Sequence, residues 1–212
     1  MSFYAEKGVR VVRLLLTSAA FVAVALLLPA VAAALPPQPA LGTAVVDGQY
    51  AEWNLTTDFF ADMYRAGDPT KKTESKLYLR FDCRTRVMYA LVLVEPDVVG
   101  YIDTGATTAW IAVGAQHTKV AGEESGDDGI PPDFAWIGRG YDGNPLHVRG
   151  FEASFYIMPG TTIILAHINV WDDAEDQTSS TGYPGVGPRL EIPQIPSAVE
   201  PATFGAIKAL YR

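Results

Sequence analysis

This 212-residue chain has one cysteine, three histidines and only sixteen lysines and arginines against 24 acids, and each shortage closes off a class of function. Cys83 has no partner for an internal disulfide, so core packing and hydrogen bonds must hold the fold. It reads as an idle or buried thiol near a hairpin turn, with an intermolecular bridge or a reactive thiol as the rival. His117, His147 and His167 stand far apart. No H-x-H, HExxH or Cys/His ligand spacing is present, so the sequence offers no zinc site. A G-x-S-x-G elbow for a serine nucleophile is also missing. The 24 acids contain carboxylate pairs by chance alone, so a glycosidase pair cannot be singled out. Nor is there a helical period of twelve residues, or an internal repeat, in the body of the chain.

The first forty residues hold a different pattern. Lys7, Arg10 and Arg13 precede residues 14–28, which carry no charge; Pro29 breaks the run and Ala32, Ala33 and Ala34 follow. A positive start, an apolar middle and a small-residue end make a secretory signal peptide over residues 1–34, cleaved after Ala34. The rival is an uncleaved anchor, but a spanning helix needs about 20 apolar residues without an early proline. The expected location is therefore secreted or cell surface, with no membrane attachment after cleavage. No cysteine near the junction is available for lipid modification. Cleavage removes three positive charges and one negative, taking the formal net charge from −8 to −10. Such a balance is wrong for gripping nucleic-acid phosphates, which needs clustered Lys and Arg.

Past that leader, apolar stretches of five to eight residues alternate with Gly, Pro, Asp and Asn breaks, the pattern of antiparallel strands. The clearest unit is a hairpin over residues 76–95. Leu77, Leu79 and Phe81 alternate with Tyr78, Arg80 and Asp82; residues 83–86 turn; residues 87–94 return as a near-continuous apolar run, the mark of a strand covered on both faces. Further strands are expected at 43–46, 109–113, 119–120, 134–137, 150–157 and 161–171, while 50–53 reads as a turn and 55–65 as a loop packed on the core. The expected fold is all-β: a jelly-roll-like antiparallel β-sandwich of roughly nine strands in two sheets. Its domain covers residues 43–176 after a Pro-rich leader at 35–42. A Gly/Pro/Ser-rich linker or arm at 177–201 follows, then a short amphipathic helix at 202–212 with Phe204, Ile207, Leu210 and Tyr211 on one side. That helix docks on its own domain or serves as a peptide for a sorting or assembly partner.

Four short motifs in order carry a family resemblance. They are Asp47-Gly48 with Glu52-Trp53, the hairpin 75–98, Gly150-Phe151-Glu152 and Ile168-Asn169-Val170-Trp171-Asp172-Asp173. This series resembles family 9 carbohydrate-binding modules and their DOMON-like relatives over residues 43–176. Glu152 departs from the pattern: the family's acid falls two to four places beyond the Gly-aromatic pair, where this chain has Ser154 and Phe155. The resemblance implies extracellular binding and makes sugar or a surface glycan the candidate partner. It also brings in calcium, bound structurally by some members.

A sugar site needs flat aromatic faces for the C–H surface of the ring and amides or carboxylates for its hydroxyls. On a strand, Leu165, His167, Asn169 and Trp171 share one face, opposite Ile164, Ala166, Ile168 and Val170. His167, Asn169 and Trp171, with Trp110, are therefore the candidate ligand-binding residues; the bland alternative is an outer strand whose Trp171 is covered by the arm. Trp53 is expected to plug the end of the sandwich and Trp136 to join the core. For calcium, Asp127 and Asp128 in one acidic loop and Asp172 and Asp173 in another are the candidate ligands, although neither loop follows the EF-hand spacing. The expected function is non-catalytic binding. The alternative is a structural subunit of a cell-surface or extracellular assembly, in which the protein partners itself.

Overall fold

The computed structural model describes residues 36–103, 108–114, 118–122, 126, 128–172, 175–182 and 187–193. The leader at 1–34 and the helix expected at 202–212 lie outside the described residues, and no described helix is long and apolar enough to cross a membrane. Within them the chain is all-β. The strands are β1 (Ala40–Leu41), β2 (Phe59–Arg65), β3 (Thr73–Asp82), β4 (Val87–Val94), β5 (Val99–Tyr101), β6 (Ala109–Val113) and β7 (Thr118–Ala121). They continue as β8 (Asp133–Ile137), β9 (His147–Val148), β10 (Gly150–Tyr156), β11 (Gly160–Asp172), β12 (Glu175–Ser180) and β13 (Arg189–Ile192).

Hydrogen bonding runs without a break in the order β7-β6-β11-β12-β2-β3-β4-β10-β8, with the four shortest strands attached to it from the side. Roughly nine strands are expected and thirteen are present among the described residues; the strand expected at 43–46 does not form, since that stretch joins no ladder, and β1, β5, β9 and β13, of two to four residues, are too short to show alternation. The connection through β12 and β2 also joins what was expected as two separate sheets. Gly122, just past β7, sits so close to Phe134 and Trp136 of β8 that a Cβ there would lie 2.8 Å from the Trp136 ring. The sheet thus curls until its first and last strands nearly meet, a sandwich-like form close to a barrel.

Alternation decides the interior. Leu77, Leu79 and Phe81 of β3, Met88, Ala90 and Val92 of β4, Phe151 and Phe155 of β10, and Ile164, Ala166, Ile168 and Val170 of β11 all face one core. The 76–95 hairpin forms in register, Leu77 opposite Val92 and Phe81 opposite Met88, and Cys83 lies in its turn, partly buried and packed against this core. Trp136 is half-buried, edge-on to Phe134 at 4.9 Å. Residues 59–65, expected as a loop, form β2 instead; register shifts at Phe59/Ala61 and Met63/Tyr64 interrupt the period-two pattern that would have marked them. The sheet also extends into the stretch read as an arm. β12 pairs with β11 and β2, pinned by a 2.6 Å hydrogen bond between the Ser75 and Ser179 hydroxyls, and β13 pairs with β11.

The outer side of β3, β4, β10 and β8 is apolar too, and the segment before β2 covers it. Trp53, Tyr78, Leu91 and Ile137 form a second cluster there. At its centre is Glu152, on the opposite side of β10 from Phe151 and 1% exposed. Trp53 donates its indole N–H to Glu152 Oε1 at 2.7 Å, and Gly48 and Asp47 donate backbone N–H groups to Oε2 at 3.0 and 3.3 Å. Arg80 holds the same segment: it pairs with Asp58 at 2.7 Å, donates to the Thr43 and Glu52 carbonyls and lies 5.0 Å over the Trp53 ring. Gly48 (φ +79°) and Gly150 (φ +153°) make room, since a Cβ would fall 2.6 Å from the Trp136 carbonyl at one and 1.9 Å from the Val92 carbonyl at the other. Two of the four landmark motifs in the sequence, Asp47-Gly48 with Glu52-Trp53 and Gly150-Phe151-Glu152, are therefore parts of one clasp.

Burial pushes the Glu152 carboxyl up to about 7, against the pull of its Trp53, Gly48 and Asp47 donors. Its folded pKa lies above the ordinary 4.5, so its contribution to stability is complete below pH 4.5 and is lost as pH rises through 7. The slope in that window is at most about 1.4 kcal/mol per pH unit. Glu152→Gln replaces one acceptor by a donor facing other donors. We expect it to cost about 1–3 kcal/mol at pH 5 and to flatten the pH profile between 4.5 and 7. Denaturant unfolding at pH 5, 6, 7 and 8 checks both; wild-type stability with an unchanged slope would mean the carboxyl is not the clasp.

Candidate ligand-binding face

On β11 the buried positions are Ile164, Ala166, Ile168 and Val170, and the partly exposed ones are Leu165, His167, Asn169 and Trp171. Antiparallel pairing with β6 sets His167 opposite Trp110 and Leu165 opposite Ala112. The four predicted residues therefore share one outer surface of β6 and β11. Trp110 and His167 stack with ring centroids 5.1 Å apart and planes 7° from parallel. Beside them His167 Nε2 donates to Asn169 Oδ1 at 3.1 Å, while the Asn169 backbone N–H donates to the Thr108 carbonyl at 2.9 Å. Trp171 closes the row at 48% exposure. From His167 to Trp171 the strand spans about 13 Å.

The described arm residues 187–193 meet the strand away from Trp171. Gly187 packs so closely on Leu165 that a Cβ there would meet the Leu165 side chain at 2.7 Å, and β13 pairs with residues 160–163. These described parts of the arm lie at the Leu165 end, and Trp171 keeps half its surface in solvent. The β11 end near Trp171 is braced through its backbone by β5 at Val99 and Gly100 and by β12 at Asp176.

Of the candidate calcium ligands, Asp127 and Asp173 lie outside the described residues. Asp172 ends β11 with its backbone paired to Glu175. The Asp128 carboxylate accepts from the Ile130 N–H at 2.9 Å, and the Asp128 N–H donates to Asp133 Oδ1 at 3.1 Å; these bonds shape the loop. Among the described residues no three His, Cys, Asp or Glu side chains gather as a metal cage. His117 lies outside the described residues, and His147 is tied into its own turn by Asp142 at 2.7 Å and Asn144 at 2.9 Å, a contact that holds the Asp142 carboxyl below the usual range.

Glu152 is the functional-looking residue whose place the sequence did not give. An acid alone between Phe151 and Ala153 in mid-strand is a signal of a buried, partnered carboxylate, but its donors come from about a hundred residues away. No family model matches the chain, and no curated protein matches it. Among solved structures, a family 9 carbohydrate-binding module from Caldicellulosiruptor kristjanssonii, in complex with glucose, is similar over 78% of this chain and 99% of that one. The identity is 14% and the TM-score 0.44.

The two kinds of tryptophan should separate on substitution. Trp53→Ala removes a 6%-exposed ring and strips Glu152 of a donor, so a loss of about 3–5 kcal/mol is expected. Trp171→Ala, on an open face, should cost under about 1 kcal/mol. Equilibrium unfolding of both variants measures this; a large loss in Trp171→Ala would make it a structural residue.

Proposed function

We propose that this chain is an exported, non-catalytic binding module that takes carbohydrate on the β6–β11 face. The observation that carries the reading is the row Trp110, His167, Asn169 and Trp171. A parallel aromatic pair, an imidazole–amide hydrogen bond and a half-exposed indole stand together on rigid strands. Stacked rings supply apolar surface for the C–H face of a sugar, and the Asn169 amide and His167 imidazole supply donors and acceptors for its hydroxyls. Strand-borne side chains are held more firmly than loop-borne ones, which lowers the cost of ordering them around a ligand. Charge agrees with the reading: a net charge of −8 disfavours phosphate-backbone partners and suits a separately dispersed protein. The N-terminal pattern of Lys7, Arg10 and Arg13, an uncharged run and Ala32–Ala34 supports export, with cleavage after Ala34. Calcium at the acidic loops remains part of the proposal only as a structural ion.

The test is a glycan array probed with the protein lacking residues 1–34, followed by titration of the best neutral glycan against tryptophan fluorescence. We expect a saturable emission change and at least a tenfold weaker Kd in Trp171→Ala and Trp110→Ala. Silence across the array, or binding that both variants keep in full, sinks the reading.

A further inference from the structure

A second concave surface lies at the other end of β11, nine residues from Trp171 and roughly 30 Å along the strand. The turn joining β3 to β4, the turn joining β10 to β11, the end of β6 and the end of β13 enclose a groove of about 560 Å³. That volume is in the range of small-ligand sites. Its floor is apolar, with Val113, Ile157 and Ile192 buried beneath it.

Arg86 stands on one wall in an unusual state. Its φ is +61°, a left-handed conformation that glycine or asparagine would adopt at less cost. The backbone leaves it no choice: its N–H donates to the Asp82 carbonyl at 2.8 Å, and its carbonyl accepts from the Ile157 N–H at 3.0 Å. A strained position filled by a large cation, where a small residue fits better, points to a use for the side chain. The Arg86 guanidinium contacts Met158 Sδ at 4.0 Å and has no carboxylate partner among the described residues, in a chain with excess acid. Tyr156 also lines the groove, standing between buried Phe155 and Ile157 and itself 54% exposed. Thr161 and Thr162 add hydroxyls at the rim.

We propose that this groove is a second ligand site, for an acidic saccharide whose carboxylate or sulfate pairs with Arg86 while a ring face lies on Tyr156. A planar guanidinium fits either anion through two parallel N–H···O bonds, which an ammonium does not reproduce. The exposed tyrosine face covers the C–H side of a pyranose, and the threonine hydroxyls meet its ring hydroxyls. This site shares no residue with the β6–β11 face, and the proposal stands apart from the one made for that face.

Calorimetric titration of the full chain with a galacturonate trimer, its methyl ester and a sulfated disaccharide tests it. We expect the trimer, the sulfated sugar or both to bind, and the ester to bind at least tenfold more weakly than the trimer if the trimer is the ligand. Arg86→Asn and Tyr156→Ala should each weaken binding at least tenfold. Arg86→Asn should keep or raise the unfolding midpoint, because asparagine accepts the left-handed backbone, so its loss of binding is not a loss of fold. Trp171→Ala should bind the acidic sugar as wild type does. The proposal fails if neither anionic sugar binds, if the ester binds as well as the acid, if Arg86→Asn binds normally, or if Trp171→Ala alone abolishes binding.

Discussion

The carboxylate of Glu152 is where the two layers of this protein's outer construction meet. Without it the segment from Thr43 to Asp58 has little regular hydrogen bonding to hold it on the sheet. With it, an indole N–H and two backbone N–H groups converge on one buried acid. A buried carboxylate is costly unless its oxygens are satisfied, so the arrangement is mutual: the segment satisfies the acid, and the acid fixes the segment. Arg80 adds a second attachment through Asp58 and through the carbonyls of Thr43 and Glu52. Tyr78, Leu91 and Ile137, outward-facing residues that would otherwise meet water, become a second core.

Much of this was legible before any coordinates. The 76–95 hairpin showed because period-two alternation on β3 and a continuous apolar run on β4 are strong local signals, and both strands pair without a register shift. The two faces of β11 separate for the same reason, whereas Trp53, expected at the end of the sandwich, lies across the outer side of β3, β4 and β8, where no local signal could place it. β2 was hidden by its bulges, and its first residue, Phe59, faces solvent at the point where a core residue would be looked for. β12, with the sequence Glu-Asp-Gln-Thr-Ser-Ser, has no apolar side chains at all. It is a strand because β11 and β2 present open edges on either side of it, a tertiary demand that composition cannot express.

Sites differ from strands in how far apart their parts lie. His167, Asn169 and Trp171 alternate within five residues, so one strand assignment was enough to place them together. Glu152 and its donors are separated by about a hundred residues, and the Arg86–Tyr156 groove draws on two turns and the ends of two further strands. Only the tertiary fold brings such groups together. The landmark motifs show this: two of the four meet in the Glu152 clasp, and only the last, at Ile168–Asp173, runs into the candidate face.

The contrast between the outer faces follows from their side chains. On β3, β4 and β8 the outward positions include Tyr78, Leu91 and Ile137, too apolar to stay wet, and the chain lays Trp53 across them. On β11 they are His167, Asn169 and Trp171, groups with polar handles that tolerate water. Apolar area drives cover onto the first face, and the same force is weaker on the second, where the imidazole and amide already hydrogen-bond to each other. A single folded sheet thus produces one face sealed by its own chain and one left partly open. Aromatic surface that stays exposed there, beside polar groups already bonded to each other and on strands fixed from the core side by Ile164, Ala166, Ile168 and Val170, is held in order without cover from the described chain, as the proposed binding role requires.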